Sequence, residues 1–501
     1  MPYDFIVVGA GSAGCAVAGR LASESPSATV LLIEAGGSDR KFIIRAPLAG
    51  IRQWGSAVDW DNQTEPEPGC ADRRIAEHRG RVLGGTSAMN AMAWVKGCEL
   101  DYDGWRVPGW SWADVAPVFA RIETGPIRVG RTPYPDELSG RFVAAARAAG
   151  VAATDDISGP GLDGAALTPT TIHNGERWSA ARGYLTGQPN LTVVTNAEVR
   201  RVLIRGGRAI GVEYRRRGQV NEALAEREVV VSAGAIGTPH LLQLSGVGPA
   251  DHLRGVGLEP IIDSPNVGKG LTDHPHAWAI WSLAPGFLGL ADAGNPKWLL
   301  QWLLHRRGKL ANSGVEALAH IRTTASAHAC DMQLVFAPGD AVADPKARKL
   351  RPALSVGCSY WTPKSRGSVL VQSADPAVPP AIRLNLLRER DDVDALIRGI
   401  DRAREIIATE PIASAVDREL LPGDSDAETS IRANAMTTFH PSCSVAMGSD
   451  PDSALDEKLR VRGVDGLRVA DASALPRITR ANTNAPSIMV GERCADLLLA
   501  R

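Results

Sequence analysis

The order Phe5-Ile6-Val7-Val8-Gly9-Ala10-Gly11-Ser12-Ala13-Gly14 sets a short apolar run directly before a G-x-G-x-x-G turn. Few folds accept that order. Four apolar residues in a row suit a strand buried on both faces of a parallel sheet. Cys15, Ala18, Leu21 and Ala22 then recur at helical spacing, Ser23 to Ser27 with Pro26 interrupts the pattern, and residues 29–33 form a second β-branched run ending at Glu34. Strand, glycine turn, helix and strand predict a dinucleotide-binding unit. Gly9 makes the turn, Gly11 lets backbone approach a pyrophosphate, and Gly14 permits close helix packing. Glu34, 20 positions after Gly14, can accept both ribose hydroxyls, and its charge disfavours the 2′-phosphate of NADP. The unit alone accommodates NAD or FAD.

Two further segments have the same buried-strand character, Val229-Val230-Val231 and residues 467–470, and parallel sheets can recruit such strands from distant sequence. Residues 191–204 and 210–214, separated by Gly206-Gly207, read as a hairpin. Between 275 and 430 the character changes, with tryptophans at 298 and 302, alternating segments at 368–371 and 382–384, and a charged helical pattern at 391–407. This reads as a second, partly antiparallel domain inserted between pieces of the first.

Composition narrows the function. The chain has 51 glycines but only 5% aromatic residues, as expected where backbone must come close to a ligand at many points. A net charge of −1 gives no reason to expect nucleic acid or a membrane surface as partner. No apolar run approaches the length of a transmembrane segment, and no basic region precedes an apolar one at the N-terminus. Seven cysteines without a C-x-x-C pair suggest neither disulfides nor a metal site, and the expected location is the cytoplasm.

The segment Gly80-Arg81-Val82-Leu83-Gly84-Gly85-Thr86-Ser87-Ala88-Met89-Asn90, continuing to Trp94, Gly97 and Asp103, resembles the first signature of the glucose-methanol-choline (GMC) flavoprotein oxidoreductases. Gly234-Ala235-Ile236-Gly237-Thr238-Pro239, continuing to Gly248, resembles the second. Similarity extends through Asn174-Gly175-Glu176-Arg177, Asp273-His274-Pro275, Ser365-Arg366-Gly367, Val469-Ala470-Asp471-Ala472-Ser473 and Asn482-Thr483-Asn484-Ala485-Pro486. His440-Pro441-Ser442-Cys443 looks most like the choline dehydrogenase branch.

The resemblance implies an α/β fold. A Rossmann-like FAD-binding domain would comprise 1–155, 186–274 and 432–501, with a flavin loop at 78–103. An inserted α+β substrate-binding domain, built on an antiparallel sheet, would comprise 156–185 and 275–431. The implied cofactor is FAD, held non-covalently because Met89 stands where some members carry a flavin-linking histidine. The implied FAD contacts are Gly9, Gly11, Ser12, Ala13, Gly14, Glu34, Ala35, Arg81, Gly84, Gly85, Ser87, Asn90, Ala91, Met92, Ala93, Val199, Ala233, Asp471, Ala472, Asn482 and Thr483.

Alcohol oxidation requires removal of a hydroxyl proton and of a hydride from the same carbon, and a neutral imidazole suits the first task. Of the ten histidines, His440 matches the family's catalytic base, while His274 and His240 read as structural. Asn482 matches the partner position, where an amide can donate and accept but not titrate. Behind it Ile488, Gly491, Ala495 and Leu498 share one helical face, which predicts a docked terminal helix. The expected reaction is oxidation of a small primary alcohol to its aldehyde with hydride transfer to flavin N5, the electrons passing to O₂ or another acceptor. The alternative is hydroxynitrile lyase-like cyanohydrin cleavage. Glu316 is expected to be paired within the fold, with a role as counter-charge to a cationic alcohol such as choline as the alternative. Tyr360, Trp361, Trp298 and Trp302 are candidates for a pocket or a core.

Overall fold

The computed structural model describes residues 2–159, 161–342 and 350–500. Five parallel strands form the spine of the first layer, in the order Leu191–Val194, Val30–Ile33, Tyr3–Val8, Gln219–Val231 and Leu467–Val469. Their last residues are in register: Val8 lies opposite both Ile33 and Val231, and Val231 opposite Val469. The turns that follow, at Gly9, Glu34, Ser232 and Ala470, therefore open along one edge, the carboxyl end where α/β sheets bind ligands. Helix Ser12–Glu24 packs against helix Asn484–Leu499 so closely that a Cβ on Gly491 would lie 2.5 Å from the Ala13 carbonyl oxygen.

The hairpin expected over 191–214 is two things. Leu191–Val194 is the outer parallel strand, and Ala197–Arg205 turns away to pair antiparallel with Arg208–Arg216. That strand pairs in turn with the first half of Gln219–Val231, whose second half joins the parallel spine. One 13-residue strand thus serves both arrangements.

The second layer is an antiparallel sheet ordered Val416–Leu421, Pro275–Leu283, Ala353–Tyr360, Met332–Ala337, Ala317–Ile321 and Gly164–Leu167. Helix Arg390–Ile407 covers one face with Val393, Leu396, Ile400, Ala403 and Ile407, the spacing of a single helical stripe. Helix Glu137–Ala148 covers the same face, and Phe142 stacks on Phe336 at 4.6 Å. That helix, expected with the dinucleotide-binding residues 1–155, instead packs beneath the second sheet, because its apolar stripe of Leu138, Phe142 and Ala145 finds its apolar partners there. Conversely helix Ala180–Tyr184, expected with the second domain, packs on Ser12–Glu24, where a Cβ on Gly19 would meet the Tyr184 carbonyl oxygen at 2.5 Å. The segments at 368–371 and 382–384 are strands Gly367–Leu370 and Ala381–Arg383 of a separate small sheet with Lys269–Leu271.

Strand alternation decides what the other face carries. Met332, Leu334 and Phe336 point into the helix-covered core, so Gln333 and Val335 point away from it. The same period places His276, Trp278, Ser359, Leu318 and His320 on this second face, beneath the carboxyl edge of the first layer.

Candidate active site

Two distant glycine turns build the cleft floor. Gly9 has φ +93°, and a Cβ there would lie 2.5 Å from the Ser232 carbonyl oxygen. Gly85 has φ +51°, and its Cβ would lie 2.7 Å from the Gly11 Cα. Side chains at either position are excluded by backbone geometry and by backbone atoms. The Gly84 amide donates to the Ala10 carbonyl at 2.7 Å, fastening one turn on the other. The cleft they floor is lined by Gly9, Gly11, Ser12, Ala13, Glu34, Ala35, Gly85, Val199, Ala233, Asp471 and Ala472 among the expected positions. It is also lined by residues the sequence reading did not single out, notably Trp60, Arg79 and the Pro379-Pro380 pair.

Three helix N-termini meet this cleft, those of Ser12–Glu24, Gly234–Leu244 and Asn484–Leu499, and Ser12 Oγ donates to Asn484 Oδ1 at 2.7 Å. Converging N-termini present unpaired amides and positive dipole ends to an anionic group. Glu34 accepts from the Ala10 and Gly36 amides, one per carboxylate oxygen and each at 2.8 Å, which leaves further lone pairs for a ligand. Burial pushes its carboxyl up to about 7 despite these bonds. This donor and acceptor set fits a dinucleotide with a pyrophosphate and a free ribose.

Several expected contacts are elsewhere. Gly14 does not face the cleft; its Cβ would collide with the Gly9 carbonyl oxygen at 1.9 Å, so it serves helix packing. Ser87 turns inward, donating to the Gly84 carbonyl and accepting from the Ala180 amide. Arg81 lies outside the lining, over the Trp60 ring at 4.8 Å and 3.4 Å from Glu198. The Asp471 carboxylate is fully used by Gly234, Thr238 and Ser473, with four donors on its two oxygens. Any contact it makes in the cleft has to come from its backbone. Asn90 Oδ1 is held by Arg177 at 2.9 Å and by the Met92 amide, while the buried Arg177 also grips the Asn90 carbonyl at 2.6 Å. Met92 and Ala93 are tied to 168–171 by the bonds from the Thr171 amide and the Ala93–Thr170 bridge, and with Ala91 they lie outside the cleft lining. Met89 is buried just after the turn Gly85–Ala88. Thr483 is the residue before the terminal helix, without a side-chain cap bond.

His440 and Asn482, 42 positions apart, are brought together: Asn482 Nδ2 lies 3.4 Å from His440 Nε2. An amide nitrogen can only donate, so Nε2 is the accepting nitrogen and the ring proton sits on Nδ1. There Thr438 Oγ1 lies at 2.7 Å and His274 Nδ1 at 3.0 Å. The Asp273 carboxylate accepts from the backbone amides of both His274 and His440, fixing the two turns together. Burial, then the fields of His274, Arg79 and His276, holds the His440 imidazole well below its usual pKa and so neutral. Gln333 Nε2 donates to Asn482 Oδ1 at 3.4 Å and approaches His320 Nε2 at 3.0 Å, and the His320 ring meets Trp361 edge-on at 4.5 Å. The sequence reading missed His274, His320 and Gln333 as parts of this site. The available signal was a glutamine in the otherwise apolar strand Met332–Ala337.

The remaining candidates are structural. Glu316 accepts from the Asp136 amide, Ser139 Oγ and Asn312 Nδ2, each at 2.7 Å. Tyr360 belongs to the helix-side core, Trp302 is buried under helix Pro296–His305, and Trp298 lies half-exposed on that helix. Trp361 alone of the four lies on the sheet face that carries His320 and Gln333.

A cleft that fits a dinucleotide, with Pro441 of its lining next in sequence to a neutral, amide-facing histidine, is what a nucleotide-dependent redox protein would present. Family models for the N-terminal and C-terminal parts of GMC oxidoreductases match residues 3–276 and 363–491. The chain belongs to the GMC oxidoreductase family, whose cofactor is FAD. It is 38% identical to an uncharacterised GMC-type oxidoreductase of Mycobacterium tuberculosis, with 99% of both chains covered. It is 36% identical to an oxygen-dependent choline dehydrogenase of Sinorhizobium fredii, covering 100% of this chain and 96% of the relative. Among solved structures, a formate oxidase matches at TM-score 0.92 and a pyridoxine 4-oxidase from Mesorbium loti at 0.88. Each is 28% identical and covers 99% of this chain and 98% of the other.

Proposed function

We propose that the protein oxidises a small primary alcohol to its aldehyde with non-covalently held FAD. The observation that carries this reading is the pair itself: a neutral imidazole whose accepting Nε2 stands 3.4 Å from an amide that cannot titrate. His440 takes the hydroxyl proton at Nε2, and Asn482 orients the alcohol oxygen from the other side. FAD, when bound, supplies the hydride acceptor at N5. The N-terminus of helix Asn484–Leu499 faces the cleft with Ser487, and its dipole favours negative charge there. Glu34 receives the ribose hydroxyls through its unused lone pairs, and the backbone amides at Gly11, Ser12, Asp471 and Ala472 meet the pyrophosphate and its neighbouring chain.

The relative that acts on choline makes choline the first alcohol to test. The experiment is anaerobic mixing with choline and with benzylic, furanic, pyridoxine-like and aliphatic alcohols. Bleaching of the flavin absorbance by at least one is expected. Cyanohydrin cleavage with the flavin staying oxidised overturns the reading in favour of a lyase. Repeating the productive reaction with O₂ and with an artificial acceptor separates oxidase from dehydrogenase.

A further inference from the structure

Helix Pro296–His305 is inside out. Among its residues only Trp302 is buried, its Nε1 donating to the Gly175 carbonyl at 2.8 Å. Leu299, Leu300, Leu303 and Leu304 are 41%, 58%, 52% and 65% exposed. Their spacing makes one continuous apolar stripe pointing away from the protein, where a surface helix ordinarily carries polar residues. Phe42, itself exposed and edge-on to Trp302 at 5.2 Å, extends the stripe onto a neighbouring segment.

The charge around this stripe is one-sided. Residues 40–54 and 293–311, which begin directly after Asp39 and Asp292, contain Arg40, Lys41, Arg45, Arg52, Lys297, Arg306, Arg307 and Lys309 but no aspartate or glutamate. The two segments share a core of Ala46, Ala49, Trp302 and Ala311, so their charges lie on one part of the surface. Glu176 pairs with Arg45 and Arg306, and Asp292 with Lys309. Arg40, Lys41, Arg52 and Arg307 are exposed and have no ion pair among the described residues. A net charge of −1 averaged over the whole chain conceals this local excess.

We propose that this face binds the surface of an anionic phospholipid membrane. An exposed Leu and Phe stripe edged by Trp298, on two segments that carry Arg and Lys, has the composition of a helix that lies in the interface plane. The leucines enter the boundary between headgroups and acyl chains, and the unpaired cations meet lipid phosphates. Among the described residues no helix is long and apolar enough to cross a membrane, and the attachment proposed is peripheral. A second copy of the chain is the less favourable occupant, because a two-fold contact would set the same unpaired cations against their own images.

The test is flotation of the holoprotein with phosphatidylcholine vesicles, with and without phosphatidylglycerol. Association with the anionic vesicles, weakened by salt, is expected. The double substitution Leu300→Glu with Leu304→Glu should lower it by about tenfold or more, while thermal melting and flavin absorbance stay as in the parent. Absence of flotation, or equal flotation of the double variant, overturns the proposal. So does a dimer in light scattering that the double variant converts to monomer without any vesicle binding.

Discussion

The rings of His274 and His440 stand edge to face at 88°, with their Nδ1 atoms 3.0 Å apart. Only one of two facing nitrogens can carry a proton in such a contact. Since Asn482 donates to His440 Nε2, the proton belongs to His440 Nδ1, and His274 Nδ1 accepts. A residue that reads as structural is therefore, with Thr438 Oγ1 at 2.7 Å, a direct partner of the proposed base at Nδ1.

Replacing His274 tests this. His274→Leu removes an acceptor and also a field that lowers the His440 pKa. Alcohol-driven flavin reduction should slow by about tenfold, less than the factor of about 10² or more expected where the proton-transfer group itself is lost. The acid limb of its pH profile should move upward. In the parent that limb lies below 6.5, because His440 is neutral above its lowered pKa. A parent profile falling with an apparent pKa of 6.5 or higher contradicts the assignment.

His440→Ala should keep bound FAD, since His440 does not line the cleft, yet lose alcohol-driven flavin reduction by a factor of about 10² to 10⁴. Stopped-flow absorbance decides it; near-parental reduction sinks the role given to His440.

Met89 occupies the position of the flavin-linking histidine, so precipitation with acid should leave all the yellow colour in the supernatant. Colour retained in the protein pellet would contradict non-covalent binding.

Glu316→Gln should leave kcat and KM unchanged for choline and for neutral alcohols alike, because its carboxylate is occupied by Asp136, Ser139 and Asn312. Its cost is structural, about 1–3 kcal/mol for donors left without their acceptor. Calorimetry should register that loss, and a choline-specific rise in KM would restore Glu316 to the substrate site.

The buried histidines weaken the apoprotein in acid. Burial pulls His240 down to about 4 and His274, His276 and His320 to about 3, and His440 also lies well below 6.5. The unfolded chain binds protons on these groups near 6.5 and the native state does not, so stability drops as pH falls through 6.5. Carboxyls that burial raises act oppositely: Glu34, Glu77 and Glu316, at about 7, together with Asp39, Glu67, Asp273 and Asp471, contribute stability at low pH that is lost as pH rises through their raised values. Substitution isolates one share: in His240→Leu the melting temperature should fall less between pH 7 and pH 5 than in the parent, because a group that cannot take up its proton in the native state is gone. An unchanged pH dependence of the melting temperature in that variant refutes the assignment.

The sequence by itself determined the parts whose cause is local. The strand, glycine turn and helix at 3–24, with Glu34 beyond, were legible because turn geometry and helix packing demand glycine at fixed positions. His440 and Asn482 were legible only as matches to a family motif, since nothing local distinguishes a base from other histidines. Tertiary structure alone decided that Gly85 rests on Gly11, that His274 and Thr438 face His440 Nδ1, and that Asp471 spends its carboxylate on Gly234, Thr238 and Ser473. It also decided that helix Pro296–His305 turns its leucines outward: a helical period shows that an apolar stripe exists, but only the packed neighbours show which stripe is covered.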